Sequence, residues 1–152
     1  MKILLLTIIF TTMLSFKIFA AENGKWTFTK EENYCYISST PLKEEGDYTK
    51  RGDAYILVYR INKTPEKIVQ ITAGYNYDTK KPVVVKIDGT NFEFFSSEDT
   101  AFIKDKDKEV IYAMQKGMDL VVKGYSFKGT LTTDTYTLKG FTAANNKLSK
   151  DC

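Results

Sequence analysis

The chain contains no histidine at all. That removes Ser-His-Asp and Cys-His nucleophile systems, histidine general bases and most transition-metal sites. No glycine-rich phosphate loop and no dinucleotide fingerprint occurs. Cysteine is nearly absent too: Cys35 and Cys152 are the only two, too far apart for a thiol redox pair. Proline and glycine are sparse, at 3 and 9 residues, so a disordered or low-complexity chain is not indicated. After the N-terminal apolar run no stretch is long enough to cross a membrane. Enzymatic activity therefore lacks a recognisable motif. Carboxylate pairs remain available for hydrolysis, but none stands out by position.

What is present describes one domain. The 152 residues are 43% hydrophobic and 27% charged, with ten Tyr and ten Phe, enough for a single sizeable core. The first twenty residues stand apart. Met1-Lys2 gives a positive start, Ile3 to Phe16 an apolar run, and Ile18-Phe19-Ala20-Ala21 a small-residue cut site. This is the pattern of a secretory signal peptide over residues 1–20, with cleavage after Ala20 and after Ala21 as the runner-up. An uncleaved anchor is disfavoured by the short run and by Lys17 at its end. No cysteine follows the cut site, which argues against lipid attachment there. Residues 21–152 form the expected single β-rich domain. Loss of Lys2 and Lys17 turns 22 basic residues into 20 against 19 acidic ones. A net charge of about +1 gives no electrostatic case for nucleic acid.

Export bears on the two cysteines. In an oxidising compartment, Cys35 and Cys152 favour an intramolecular disulfide that ties the C-terminus to an early strand. The alternatives are two unpaired thiols or pairing between molecules.

The hydrophobic pattern is mostly of period two. Lys25–Lys30 alternates with Trp26 and Phe28 on one face. Tyr34–Ser39 carries Cys35 and completes a hairpin with it. Trp26, the only tryptophan, reads as a core anchor before a ligand platform. Thr40–Asp53 is a polar connection. It contains Arg51-Gly52-Asp53, which matches an integrin-binding tripeptide, although a three-residue match in a turn has a high false-positive rate. Ala54–Asn62 is apolar on both faces and reads as a central strand covered on both sides. Lys67–Tyr75 is its antiparallel neighbour. Val83–Asp88 and Asn91–Ser96 flank an Asp88-Gly89 turn, and Thr100–Lys104 is a further short strand.

At residues 105–117 the period changes to that of a helix, with Val110, Ile111 and Met114 on one face. Asp105 or Asp107 can cap its start and Gly117 suits its stop. The Asp/Lys alternation there lacks the glycine and distant glutamate of a calcium loop. Met118–Phe127 and the threonine-rich, part-exposed Thr130–Lys139 are the last strands. Phe141, Ala144 and Leu148 then recur at helical spacing. About nine strands and one main helix predict a mainly β protein. Its expected form is an antiparallel β-sandwich or partly closed barrel, with one packed helix and a short C-terminal helix.

The run K-G-Y-S-F-K-G-T-L-T-T-D-T-Y-T-L-K-G-F-T-A-A within Leu120–Cys152 resembles the C-terminal part of the invasion-associated locus B family. Trp26, Cys35, Ile87-Asp88-Gly89, Met114–Gly117 and Gly140–Ala144 extend the resemblance over most of the exported chain. Many members have more cysteines in the first half and before the helix, where this chain has Thr100-Ala101-Phe102. The resemblance implies an exported β-rich protein of the periplasm or envelope, mainly alphaproteobacterial, and supplies no catalytic residues. The expected function is non-enzymatic binding of a macromolecule or envelope component, periplasmic or secreted in a Gram-negative bacterium, with host interaction in pathogenic relatives. No cofactor, metal, nucleic acid or membrane span of the exported chain is expected. The alternative is a periplasmic small-ligand-binding protein or a carboxylate-dependent hydrolase.

Overall fold

A computed structural model describes residues 22–152. The expected signal peptide over residues 1–20, with its expected cleavage at Ala20 or Ala21, lies outside the described residues. Ten strands and two helices follow in order: β1 (Thr27–Lys30), β2 (Tyr34–Ser39), β3 (Lys43–Gly46), β4 (Tyr55–Ile61), β5 (Ile68–Thr72), β6 (Val83–Ile87), β7 (Thr90–Ser97), β8 (Thr100–Phe102), α1 (Asp107–Lys116), β9 (Asp119–Tyr125), β10 (Leu131–Thr137) and α2 (Phe141–Asp151).

All ten strands join one antiparallel sheet in the order β1-β2-β4-β5-β8-β7-β6-β9-β10-β3. The sheet curls into a half-barrel, so the partly closed form is the one adopted. β7 makes the corner. Its first part pairs β6, ending at Phe94↔Val83, and its second part pairs β8, beginning at Phe95↔Phe102. The two ends of the sheet are tied together as well. The Trp26 indole N–H, just before β1, donates to the Thr137 carbonyl at the end of β10 at 3.0 Å.

Alternation along each strand decides what the curled sheet encloses. Ile37, Ile56, Val58, Val69 and Ile71 face Val83, Val85, Phe94, Leu120 and Val122 across one core. Each such side chain contributes about 1.5–3 kcal/mol of transfer free energy when buried. α1 adds Val110, Ile111 and Met114, and α2 adds Phe141, Ala144 and Leu148. Trp26 is buried edge-to-face against Phe141, with centroids 4.9 Å apart. It is the anchor its position in the pattern predicts.

Three local readings change, and the part-exposed last strand is seen in detail. β3 lies within the supposed polar connection. Its side chains are all exposed, so it has no buried face to give an alternating signal, and it exists through pairing with β10. α1 starts without a side-chain cap, because the Asp107 carboxylate accepts the Val69 amide of β5 at 2.8 Å instead. β4 is covered on one side only: Ile56 and Val58 are buried, while Tyr55, Leu57 and Tyr59 stay half-exposed. In β10 the inward positions Thr132, Asp134 and Tyr136 are buried, and Thr133, Thr135 and Thr137 carry the exposure.

Candidate functional site

Arg51 lies in the loop that leads into β4, and its side chain turns inward. One guanidinium nitrogen donates to Asp134 Oδ1 at 2.8 Å and the other to Oδ2. Nε–H donates to the Ala73 carbonyl at 2.5 Å. The two side chains are 3% and 1% exposed. The rings of Tyr48 and Tyr75 sit 5.2 and 5.5 Å from the guanidinium carbon, and Tyr75 shares a 2.6 Å hydrogen bond with Thr132. Burial pushes the Asp134 carboxyl upward against the pull of Arg51, whereas Arg51 is held more firmly protonated than a free guanidinium. The second direction describes the pair, because both carboxylate oxygens accept guanidinium N–H groups. Gly52 is pressed against Gly74. Its amide donates to the Gly74 carbonyl at 2.9 Å, and a Cβ on Gly74, at φ +75°, would meet the Gly52 oxygen at 2.1 Å. The tripeptide is thus a packing element whose arginine is unavailable to a receptor.

Cys35 and Cys152 are bonded, with Cα atoms 5.7 Å apart. The bond fixes the end of α2 to β2. Cations complete the same junction. Lys30 donates to the Asp151 carbonyl at 2.9 Å and Arg60 to the Ser149 carbonyl at 2.8 Å. Lys67 reaches Asn145 and Ser149, each at 2.6 Å. Positive charge at a helix C-terminus is favourable. Burial, with Arg60 nearby, lowers the Lys67 ammonium from its usual range.

The outer surface of the sheet differs between its two halves. On the β1-β2-β4-β5-β8-β7 side, register places Thr27, Ser38, Leu57, Gln70, Phe102 and Phe95 in one row across six strands. A second row runs Thr29, Tyr36, Tyr59, Ile68, and Tyr34 pairs with Ile61 beside it. Tyr34, Ile61 and Phe95 are 44%, 53% and 55% exposed. The Tyr34 and Tyr36 rings are 6.1 Å apart and within 24° of parallel. Much of this face floors an open groove of about 1430 Å³, with Glu22, Glu44 and Asp53 among its walls. The opposite half presents Val84, Lys123, Thr133 and Glu45 in one row and Lys86, Val121, Thr135 and Lys43 in the next. That half is a solvated surface, whereas the first carries a connected aromatic and aliphatic patch of the kind that marks an interaction site.

None of these face residues stands out in the sequence as part of a binding site. The signal is there in the spacing of Tyr34 and Tyr36, and of Tyr55, Leu57, Tyr59 and Ile61. These sets share one side of their strands, but the run in β4 reads by itself as a doubly covered strand. Among the described residues no group of three or more acidic or cysteine side chains is placed to hold a metal ion. No helix among them is long and apolar enough to cross a membrane.

The geometry defines a disulfide-pinned half-barrel domain with an open aromatic face. The chain belongs to the invasion associated locus B (IalB) protein family, whose family model matches residues 25–149. It is similar in fold to the crystal structure of invasion associated protein b from Bartonella henselae. The two share 18% sequence identity at a TM-score of 0.56, over 84% of this chain and 93% of that one. No curated protein matches the sequence.

Proposed function

We propose that this protein is an exported, non-enzymatic component of the envelope of a Gram-negative bacterium, periplasmic or secreted. It binds another macromolecule or an envelope component through the outer face of β1-β2-β4-β5-β8-β7. The observation that carries this is the contrast between the two outer faces. One carries paired tyrosines over an open groove, and the other mixes lysines, Glu45 and threonines with Val84, Val121 and Leu131, although both are made by the same curled sheet. An open face rich in tyrosine suits a large partner, since tyrosine supplies contact area at low entropic cost. The signal peptide pattern of residues 1–20 and the Cys35–Cys152 bond support export. The word invasion in the names of the family and of the Bartonella protein supports a host-facing role.

The test is affinity capture from an envelope extract with the exported domain as bait, beside a Tyr36→Ser/Tyr59→Ser variant of equal thermal stability. A component retained by the native domain and lost with the variant is the expected result. Equal retention by both baits, or none by either, contradicts the proposal. Turnover of envelope substrates by the purified domain would contradict its non-enzymatic part.

A further inference from the structure

We infer that the Cys35–Cys152 bond is closed on an already folded domain by a disulfide-carrying oxidant that enters at Cys152, with Cys35 as the thiol that expels it. The two sulfurs sit in unlike places. Cys35 is fully buried in β2 and paired on both sides, with Lys30 of β1 and Arg60 of β4 opposite it. Cys152 follows α2 outside any helix or strand and is half-buried. Docking of α2 does not depend on the bond. Phe141 and Leu148 are buried in the core, and Lys30, Arg60 and Lys67 hold Asp151, Ser149 and Asn145 by hydrogen bonds of their own. Asn62 is fixed by donating to the Glu32 carbonyl at 2.8 Å. Its Oδ1 lies 3.6 Å from the Cys35 sulfur and 3.2 Å from that of Cys152, an acceptor within reach of both thiols in the reduced chain. The docked helix therefore delivers one thiol to the other before any bond joins them.

The order of attack follows from that asymmetry. Thiol–disulfide exchange proceeds by a thiolate on a disulfide sulfur, and its rate depends on access. A disulfide X–S–S–X reaches Cys152, whose thiolate attacks one sulfur and releases the other as X–S⁻. The Cys35 thiolate then attacks the Cys152 sulfur and releases the second X–S⁻. Two protein thiols are oxidised, X–S–S–X is reduced to two thiols, and the two protons lost by the protein end on them. The reverse order would place X on Cys35, between two paired strands, where no surface is open to it. With two cysteines in the chain only one intrachain pairing exists, so no isomerase step is required. The partner's class is a thiol–disulfide oxidoreductase that acts as oxidant in an oxidising compartment.

Single-cysteine chains test this. Cys35→Ser keeps only Cys152, and Cys152→Ser keeps only Cys35. Emission of Trp26, the only tryptophan, reports the docking of α2 through its contact with Phe141. Both variants and the reduced native chain are expected to keep the emission of the bonded protein. Oxidised glutathione is the probe, and the mixed disulfides it forms are measured by mass. Cys152 should react at least about tenfold faster than Cys35 in native buffer, and the two rates should converge in urea. Emission of an unfolded chain on reduction would overturn docking before closure. Equal rates in native buffer, a faster Cys35, or a difference that persists in urea would each overturn entry at Cys152.

Discussion

Arg51 and Asp134, 83 residues apart in sequence, meet as a fork-to-carboxylate pair in the interior of the half-barrel. Neither side chain has appreciable solvent access. Removing one partner strands the other charge in a low-dielectric site, at a cost of about 3–5 kcal/mol. Arg51→Ala and Asp134→Ala should each lower the unfolding free energy in urea titrations by that amount, far more than Asp53→Ala. Arg51→Lys keeps the charge but not the fork, so it should fall between. An Arg-Gly-Asp peptide should not compete with the folded protein for host-cell attachment, because the arginine faces Asp134.

The bond between Cys35 and Cys152 closes a sequence separation of 117 residues. Chain entropy assigns a loop of that length about 4–5 kcal/mol. The Cys35→Ser/Cys152→Ser protein should unfold at markedly lower urea concentration, and α2 should exchange its amide hydrogens first. Free-thiol titration of the native protein should find none until reductant is added. Two reactive thiols in protein purified from the envelope would contradict the pairing.

Tyrosine makes stability sensitive to alkali. Burial raises Tyr59, Tyr75, Tyr77 and Tyr136 above their usual range. The hydroxyls of Tyr77 and Tyr136 are buried without a protein partner. In the unfolded chain these groups ionise near about pH 10. Above that pH the unfolded state has released protons that the folded state still holds, so stability falls as pH rises. It is unaffected by these groups at lower pH. The limiting slope is about 1.4 kcal/mol per pH unit for each such group. Urea titrations on either side of pH 10 should show the decline. Tyr136→Phe should reduce the slope while costing little at neutral pH, since its hydroxyl has no partner to lose. Absorbance of the phenolate band should show the exposed tyrosines titrating first and the buried ones only as the protein unfolds.

Legibility in the sequence follows burial. Strands with one buried face announce themselves by alternation, and the Asp88-Gly89 turn does so by residues that accept positive φ, here 43° and 90°. The helix at Asp107–Lys116 is visible as a change of period. β3 is not visible, because Lys43-Glu44-Glu45-Gly46 has no buried side and depends wholly on β10. The Asp107 carboxylate looks like a helix cap, but it is claimed by an amide of β5, a long-range competitor that local pattern does not contain. Arg51 and Asp134 each look solvated, since a buried ion pair is recognisable only when both members are seen together. The outer face is hidden by the opposite error. Apolar residues on both sides of β4 imply a second covering layer, and the sheet leaves that side to solvent or to a partner.

The open face is the central claim, and tyrosine footprinting in the intact envelope tests it most directly. Tyr34 is 44% exposed on the face, and Tyr112 is 62% exposed on α1. Cells making the protein and dilute purified protein are labelled under identical conditions, and modification is read at each tyrosine. If the face docks a partner, Tyr34 and Tyr36 are protected in the envelope relative to the purified protein, while Tyr112 is modified equally in both. Equal modification of Tyr34, Tyr36 and Tyr112 in the two settings would contradict the account.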